Sequence, residues 1–142
     1  MSDTSFDPEL EANLSAQVPA RHILAVFAGG LLGTLARCAV LRGWLSQAES
    51  TPWALIVINA TGSLVIGLLA TSVFERRPQL IGLRLFCSSG FLGGWTTYSS
   101  FAATTLLLVH KQSWVPILVL ALATIVGNPL LAWLGRMLGR LR

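Results

Sequence analysis

The residues best suited to binding an ion lie between Ser88 and Phe101, inside a long apolar segment. This stretch contains three glycines and six serine and threonine hydroxyls. The pair Gly93-Gly94 would destabilise an unbroken helix, because each glycine costs about 1 kcal/mol relative to alanine. We therefore expect the segment to open around residues 90–96 and to leave backbone carbonyls without helical partners. Open backbone at membrane depth needs surrounding protein or a water-filled path, and it often marks an ion site.

The composition indicates that a lipid bilayer surrounds these residues. Of the 142 residues, 54% are hydrophobic and 11% are charged, and the mean hydropathy is +0.68. Soluble domains carry about 25% charged residues. The net charge of +4 comes from basic residues at the ends of apolar segments, where membrane proteins have their anchors. This distribution argues against nucleic acid as a partner.

Four apolar segments are long enough to cross a bilayer, since a span needs about 20 residues. They run over residues 21–45, 53–74, 80–109 and 114–138, with short polar turns between them. The sequence therefore predicts an all-α integral membrane domain over residues 21–142, with four transmembrane helices and a break in the third. Residues 1–20 form an acidic tail that we expect to be disordered.

Polar and aromatic residues recur at helical spacing on the second, third and fourth segments. Asn59 could hold two helices together by hydrogen bonding, or its amide could donate to a passing anion. Thr124 and Asn128 form a similar polar stripe four residues apart. Tyr98 and Phe101 are three apart and share a helical face. They are either core aromatics or rings whose positive edges face a partly dehydrated anion.

The first segment combines small residues with one charge on a single helical face. Gly29 and Gly33 are four residues apart, a spacing that lets two helix backbones approach closely. Arg37 continues this face four residues later. Because a charge inside a membrane is costly, Arg37 is either an anchor at the interface or a structural or vestibule charge.

Lysines and arginines are distributed unevenly between the two ends of the predicted bundle. The side of the chain termini has Arg21, Arg76, Arg77, Arg84, Arg136, Arg140 and Arg142, and the other side has Arg37, Arg42 and Lys111. The positive-inside rule therefore favours cytoplasmic termini. Four short helices can hardly enclose a pore, so we expect an oligomer, most simply a two-fold dimer.

Three motifs in order resemble those of the Fluc (CrcB) family of fluoride channels. They are Gly90–Phe101 on the third segment, Gly29–Arg37 on the first and Asn59–Gly67 on the second. The similarity extends from about Val26 to the C-terminus and leaves out the acidic tail. Three motifs with a matching number and length of spans are a specific signal, whereas one glycine motif would be weak.

The resemblance implies a passive channel of the plasma membrane that exports fluoride and lowers its cytoplasmic concentration. Two four-helix subunits would insert antiparallel, with two narrow fluoride pathways between them. A structural sodium ion at the dimer axis would be held by the backbone carbonyls of Gly93 and Thr96 and by the same pair from the second subunit. The fluoride pathway positions implied by the family pattern are Asn59, Tyr98, Phe101, Thr124 and Asn128.

Two features depart from the family pattern. Tyr98 replaces the usual phenylalanine, and its hydroxyl is a stronger donor that would hold fluoride more tightly. The uneven loop charges are unexpected for a homodimer that inserts in both orientations. The partner is therefore either a second copy of this chain or a homologous, oppositely oriented subunit.

Other functional classes fit the sequence less well. A small multidrug exporter also has four short spans, but it needs a carboxylate inside the membrane, and Glu49 and Glu75 both lie in turns. A non-conducting scaffold would explain the glycine spacing but not the costly pair Gly93-Gly94. The predicted spans contain no carboxylate pair, nucleophile–base set or metal cluster, so we expect no enzymatic activity.

Overall fold

The structure, a computed structural model, describes residues 18–45 and 52–141. Every regular element in those two ranges is helical, which confirms the prediction of an all-α protein. Residues 1–17 of the tail that was predicted to be disordered lie outside the described residues, as do residues 46–51.

The described chain consists of seven α-helical segments and three π-helical turns. They are α1 (Ala20–Leu45), α2 (Pro52–Leu69), π1 (Ala70–Phe74), α3 (Ile81–Arg84), π2 (Leu85–Leu92), α4 (Gly93–Trp95), α5 (Ser99–His110), α6 (Trp114–Leu122), π3 (Ala123–Gly127) and α7 (Asn128–Arg140). The π-helical turns continue the α-helices they join without a gap. Such turns inside α-helices occur frequently at functional sites.

Three of the helices are long and apolar enough to cross a membrane. They cover Ala20–Gly43, Pro52–Phe74 and Trp114–Arg140, close to the first, second and fourth predicted spans. The third apolar segment is divided between α3–π2–α4 and α5, and neither part meets this criterion alone. The count of four spans therefore stays a prediction.

Helix α1 packs against π2 and α4 through glycines on both sides of the contact. Gly29 lies so close to the backbone of Phe86 and Gly90 that a β-carbon would collide with it, and Gly33 lies equally close to Phe91. The close approach predicted for the face of Gly29 and Gly33 is therefore present. This contact fixes π2, the turn that precedes α4, against α1.

A second glycine contact joins α2 to α7. Gly67 faces the backbone of Ala132, and Gly135 faces the backbone of α2. The buried Thr71 hydroxyl donates a hydrogen bond of 3.0 Å to the Arg136 carbonyl oxygen. The last turns of α2 therefore meet α7 backbone to backbone.

The apolar core is small and lies where α2, α5 and α6 meet. Leu55, Leu108 and Leu120 are buried there, and Phe101 packs against them. Many large apolar side chains remain exposed, among them Phe27 on α1. An exposed apolar surface of this kind is typical of a protein that faces lipid or a second subunit.

Candidate ion-binding site at the helix interruption

The helical conformation stops after Trp95 and resumes at Ser99. Thr96 has φ −77° and ψ 154°, which is extended backbone. The sequence placed the opening around residues 90–96, but residues 90–95 are helical and the interruption covers residues 96–98. This part of the prediction was wrong because helix propensity, on which it rested, was overridden by packing. Gly94 lies directly against the backbone of α1.

Asn59 holds the interruption open from α2. Its Oδ1 atom accepts a hydrogen bond of 2.9 Å from the Thr97 N–H, and its Nδ2 atom donates one of 3.2 Å to the Thr97 carbonyl oxygen. In a continuous helix the Thr97 N–H would bond to the Gly93 carbonyl four residues earlier. Asn59 is only 5% exposed, so it satisfies both polar groups of Thr97 away from solvent.

Helix α1 holds the other side of the interruption at the Gly94 carbonyl. The Arg37 Nε atom donates a hydrogen bond of 3.1 Å to this oxygen, and the Thr34 hydroxyl lies 3.5 Å from it. Of the two interpretations of Arg37, this contact favours the structural charge over the anchor at the interface. The guanidinium neutralises the partial charge of a helix C-terminus, which is a favourable position for a cation.

Each of these two contacts lies next to a carbonyl oxygen that has no donor in the described part of the chain. Among the described residues, none donates a hydrogen bond to the carbonyl of Gly93 or of Thr96, whereas the Leu92 carbonyl accepts both the N–H and the hydroxyl of Thr96. Gly93 is exposed. Carbonyls at an unwound helix end can coordinate Na⁺. The described residues contain no group of three His, Cys, Asp or Glu that could hold a metal, so a cation here would depend on backbone oxygens.

A cavity of about 360 Å³ lies beside the interruption. Its walls come from α2, from the segment around the interruption, and from π3 and the start of α7. The lining residues are Asn59, Ser63, Gly93, Thr96, Thr97, Tyr98, Thr124 and Asn128. Six of the eight residues that the sequence analysis selected therefore line one cavity, although they come from three apolar segments.

Phe101 and Arg37 are the two selected residues that do not line this cavity. The Phe101 ring lies beside that of Tyr98, with centroids 5.4 Å apart and planes tilted by 32°, and its other contacts are with the apolar core. Tyr98 is 75% exposed. Phe101 thus supports the Tyr98 ring at the mouth of the cavity. Arg37 lies outside the cavity on α1 and contacts the Gly94 carbonyl.

The two polar residues of the fourth segment reach the cavity through π3. The Asn128 N–H donates to the Ala123 carbonyl, five residues back, which is the π-helical pattern. Pro129 follows and has no N–H, so the regular ladder cannot form at this point. The wider turn therefore coincides with the position at which Thr124 and Asn128 face the cavity.

Three further residues contribute to the site but were not selected from the sequence. Ser63 lies one turn after Asn59 on the same polar stripe, which the sequence shows, but it was not among the pathway positions implied by the family pattern. Thr97 and Trp95 could not be identified in this way. The Trp95 indole N–H donates to the Ile58 carbonyl at 3.0 Å and lies 3.2 Å from the Thr61 hydroxyl, and it fixes α4 to α2.

These geometric features can be compared with known proteins. The model of the family described as CrcB-like protein, Camphor Resistance (CrcB), matches residues 24–136. The chain belongs to the CrcB family. The match includes every residue of the cavity and of its supports on α1, and it confirms the resemblance found from the three motifs.

Relatives of this CrcB protein include three named as fluoride-specific ion channels. FluC of Methylobacterium radiotolerans is 41% identical over 72% of this chain and 73% of the relative. FluC 2 of Bacillus licheniformis is 36% identical over 84% and 88%, and FluC 1 of Mycolicibacterium paratuberculosis is 36% identical over 70% and 75%. Family membership, with three membrane-capable helices, confirms that this CrcB chain is an integral membrane protein and not an enzyme.

Proposed function

We propose that this chain is a subunit of a fluoride-selective passive channel in the plasma membrane, which exports fluoride and lowers its cytoplasmic concentration. The observation that carries the proposal is membership of the CrcB family, with relatives named as fluoride-specific ion channels. Hydrogen fluoride enters a cell as a neutral molecule and dissociates inside, so the trapped anion needs a conducting path outwards. No covalent step is involved.

The cavity beside the interruption is the proposed fluoride pathway. Hydroxyl and amide groups of Ser63, Thr124 and Asn128 line it, and such donors can replace the hydration shell of a small anion. The Tyr98 ring, supported by Phe101, would present its positive edge to the ion. Charged side chains are absent from the lining, so an ion that enters is not trapped by a fixed opposite charge.

Asn59 has two roles in this proposal. Its Oδ1 atom and one N–H of its Nδ2 group are bonded to Thr97, which leaves one N–H of the amide for an ion. Asn59 therefore shapes the pathway by holding Thr97 and offers a single donor to it. This combines the packing and pore interpretations that the sequence left open.

The complete channel would be an antiparallel dimer with four spans in each subunit, the third interrupted at residues 96–98. The exposure of Tyr98 and of Gly93 supports this proposal, because both flank a cavity that one chain leaves open. The second subunit is either another copy or a homologous, oppositely oriented chain. The excess of arginine on the terminal side supports the heterodimer, as do the numbered names FluC 1 and FluC 2 of two relatives.

A structural sodium ion, not transported, would lie between the Gly93 and Thr96 carbonyls and the same pair from the second subunit. The two carbonyls have no donor among the described residues, which supports this assignment. When bound, the cation would supply a fixed positive field that favours anions in the neighbouring cavities. Within the chain, the contacts at Gly94 and Thr97 fix the residue that directly follows each of these carbonyls.

Fluoride efflux from liposomes that contain the full-length chain tests the proposed function. We expect fluoride but not chloride to leave, and we expect Phe101→Ile to reduce the efflux while the protein stays dimeric. Phe27→Ile, the same substitution on the exposed face of α1, is the control and should conduct normally. Absence of fluoride efflux, both alone and with an oppositely oriented homologous subunit, would rule the function out.

The sodium site needs a test that does not depend on flux. A β-carbon at Gly93 would meet only the Ser88 carbonyl, at 3.9 Å, so valine has room in the single chain. We expect the melting temperature of the wild type to be higher in NaCl than in N-methylglucamine chloride, and Gly93→Val to abolish this difference. Gly82→Val, at a second glycine with open space around it, should keep the difference. A wild type that melts equally in both salts would contradict the site.

A further inference from the structure

Four arginines meet at one end of the α2–α7 pair. Arg76 and Arg77 follow π1, while Arg136 and Arg140 lie in the last turns of α7, and all four are exposed. Glu75 is the only acidic residue in the described chain, and its Oε1 atom lies 3.3 Å from the Arg136 Nη2 atom. This ion pair brings the two arginine pairs together, and the other three arginines have no acidic partner among residues 18–45 and 52–141.

A shallow groove of about 470 Å³ runs along α7 below this cluster. It is lined by residues three, four, seven, eight and eleven positions after Pro129, which share one helical face. These are Pro129, Ala132, Trp133, Arg136, Met137 and Arg140. The groove is therefore apolar at the end near Pro129 and basic at the end near Arg140, with the 59% exposed Trp133 between them.

The length of the groove matches one leaflet of a bilayer. Eleven residues of α-helix rise about 16 Å. The hydrocarbon core of a bilayer is about 30 Å thick, so one leaflet contributes about 15 Å. If Arg140 lies at the level of the headgroups, Pro129 therefore lies close to the middle of the membrane. Arginine near the end of a spanning helix is typical of this interface.

We propose that this groove binds one anionic phospholipid, with the phosphate between Arg136 and Arg140 and an acyl chain along Pro129, Ala132 and Trp133. The uncompensated positive charge fits an anionic headgroup, and the apolar half fits a hydrocarbon chain. Glu75 orients the Arg136 guanidinium, which keeps further N–H groups for a phosphate oxygen. Among the described residues Arg140 forms no ion pair, so its guanidinium is available to a lipid.

Lipid retention by the purified full-length protein tests the site. In native mass spectrometry we expect the wild type to retain phosphatidylglycerol in preference to phosphatidylcholine. Arg140→Gln should weaken phosphatidylglycerol binding by roughly fivefold, the effect of one arginine near an anionic surface. The matched control is Arg76→Gln, which removes the same charge at the same end of the protein but outside the groove, and it should bind as the wild type does.

Each remaining result either supports the groove or overturns it. If Arg76→Gln and Arg140→Gln lost phosphatidylglycerol binding equally, the lipid would be attracted to the positive end in general and the groove would be ruled out. If the wild type retained phosphatidylglycerol and phosphatidylcholine equally, the headgroup would not be recognised and the proposal would also fail. Inorganic phosphate that displaced phosphatidylglycerol at millimolar concentration would indicate a site for the free anion. If Arg140→Gln folds poorly, Arg140→Lys is the substitute. It keeps the charge and should keep preferential binding, and loss of the preference in this folded variant would overturn the proposal.

Discussion

Two helix pairs in this protein meet through glycines, but only one of these glycine contacts adjoins the interruption at residues 96–98. In the first pair, α1 packs against π2 and α4 through Gly29 and Gly33. In the second, α2 packs against α7 through Gly67 and Gly135. A β-carbon would collide with the facing backbone at each of these positions. The glycine spacing thus identifies close packing and does not distinguish a functional contact from a structural one.

The difference lies in the polar side chains that cross each contact. In the α2–α7 pair, Thr71 donates to a carbonyl of a helix that stays continuous around it. In the first pair, Arg37 donates to the Gly94 carbonyl next to an interruption, and Asn59 binds the far side of it from α2. Side chains that replace lost helical hydrogen bonds, rather than glycines, therefore mark the functional region.

Of all the substitutions considered, replacing a glycine at the centre of either contact should destabilise the folded protein most. Gly33→Val and Gly135→Val each place methyl groups against a neighbouring backbone, and overpacking typically costs about 1–3 kcal/mol, with the upper end expected where the obstacle is backbone. We expect both variants to lose the monodisperse peak in size-exclusion chromatography. Gly82→Ala, at a glycine with open space, is the control and should elute normally. A well-folded variant at either position would show that the contact is looser than described.

Asn59→Ala should have the next largest effect, and it affects function as well as stability. The variant loses both hydrogen bonds to Thr97, worth about 2 kcal/mol together. We expect a lower melting temperature and at least roughly tenfold less fluoride efflux, from a protein whose oligomeric state is unchanged. Ser63→Ala changes the same cavity without touching Thr97, and its stability should stay within about 0.5 kcal/mol of wild type. Equal melting temperatures for the two variants would argue against the role assigned to Asn59.

Arg37→Gln tests the contact on the other side of the interruption. The variant loses a charged hydrogen bond to the Gly94 carbonyl, worth about 1.5 kcal/mol. We expect reduced thermal stability together with reduced fluoride efflux, because the freed carbonyl changes the backbone beside the cavity. Arg42→Gln, at an exposed arginine near the end of α1, should alter neither quantity. Normal efflux in Arg37→Gln would mean that α1 supports the fold only.

Thr71→Val removes a polar contact in the α2–α7 pair, as Arg37→Gln does in the first pair, so the two variants can be compared directly. Thr71→Val keeps the shape of the side chain but removes the hydrogen bond to the Arg136 carbonyl, for a loss of about 1 kcal/mol. We expect a lower melting temperature with unchanged efflux per folded channel. If efflux fell as far as in Arg37→Gln, the two helix pairs would be functionally equivalent and the proposed distinction would fail.

Tyr98→Phe should have the smallest effect on stability and a measurable one on transport. The side chain is largely exposed, so we expect a change of less than about 0.5 kcal/mol. Removing the hydroxyl should raise fluoride efflux a few-fold, because a weaker donor holds the ion less tightly. Efflux that stays the same or falls would show that the Tyr98 hydroxyl does not retain the ion.

Much of the fold and most of the candidate site could be predicted from the sequence. Three of the four predicted spans coincide with membrane-capable helices to within a few residues. Asn59, Thr124 and Asn128 stood out as polar residues on two apolar segments and were assigned to one pathway through the family resemblance, and they line one cavity. Hydropathy and helical periodicity are local properties, so they can be read along the chain.

The position of the interruption could not be predicted in the same way. The pair Gly93-Gly94 indicated a break, yet both residues are helical because Gly94 fits against α1. A glycine in a membrane segment therefore does not by itself predict a break. It weakens an isolated helix, but it also lets two helices pack closely. Only the neighbouring helix decides which of these effects is larger.

The sequence by itself determined the surrounding solvent, the helical segments and the family of this protein. The tertiary structure decided which backbone oxygens remain free. The Thr97 N–H bonds to Asn59, which is 38 positions away, and the Gly94 carbonyl bonds to Arg37, which is 57 positions away. Such contacts depend on the register between packed helices, a property that no local pattern encodes. Because of that register, no residue in the ranges 18–45 and 52–141 donates to the carbonyl of Gly93 or of Thr96.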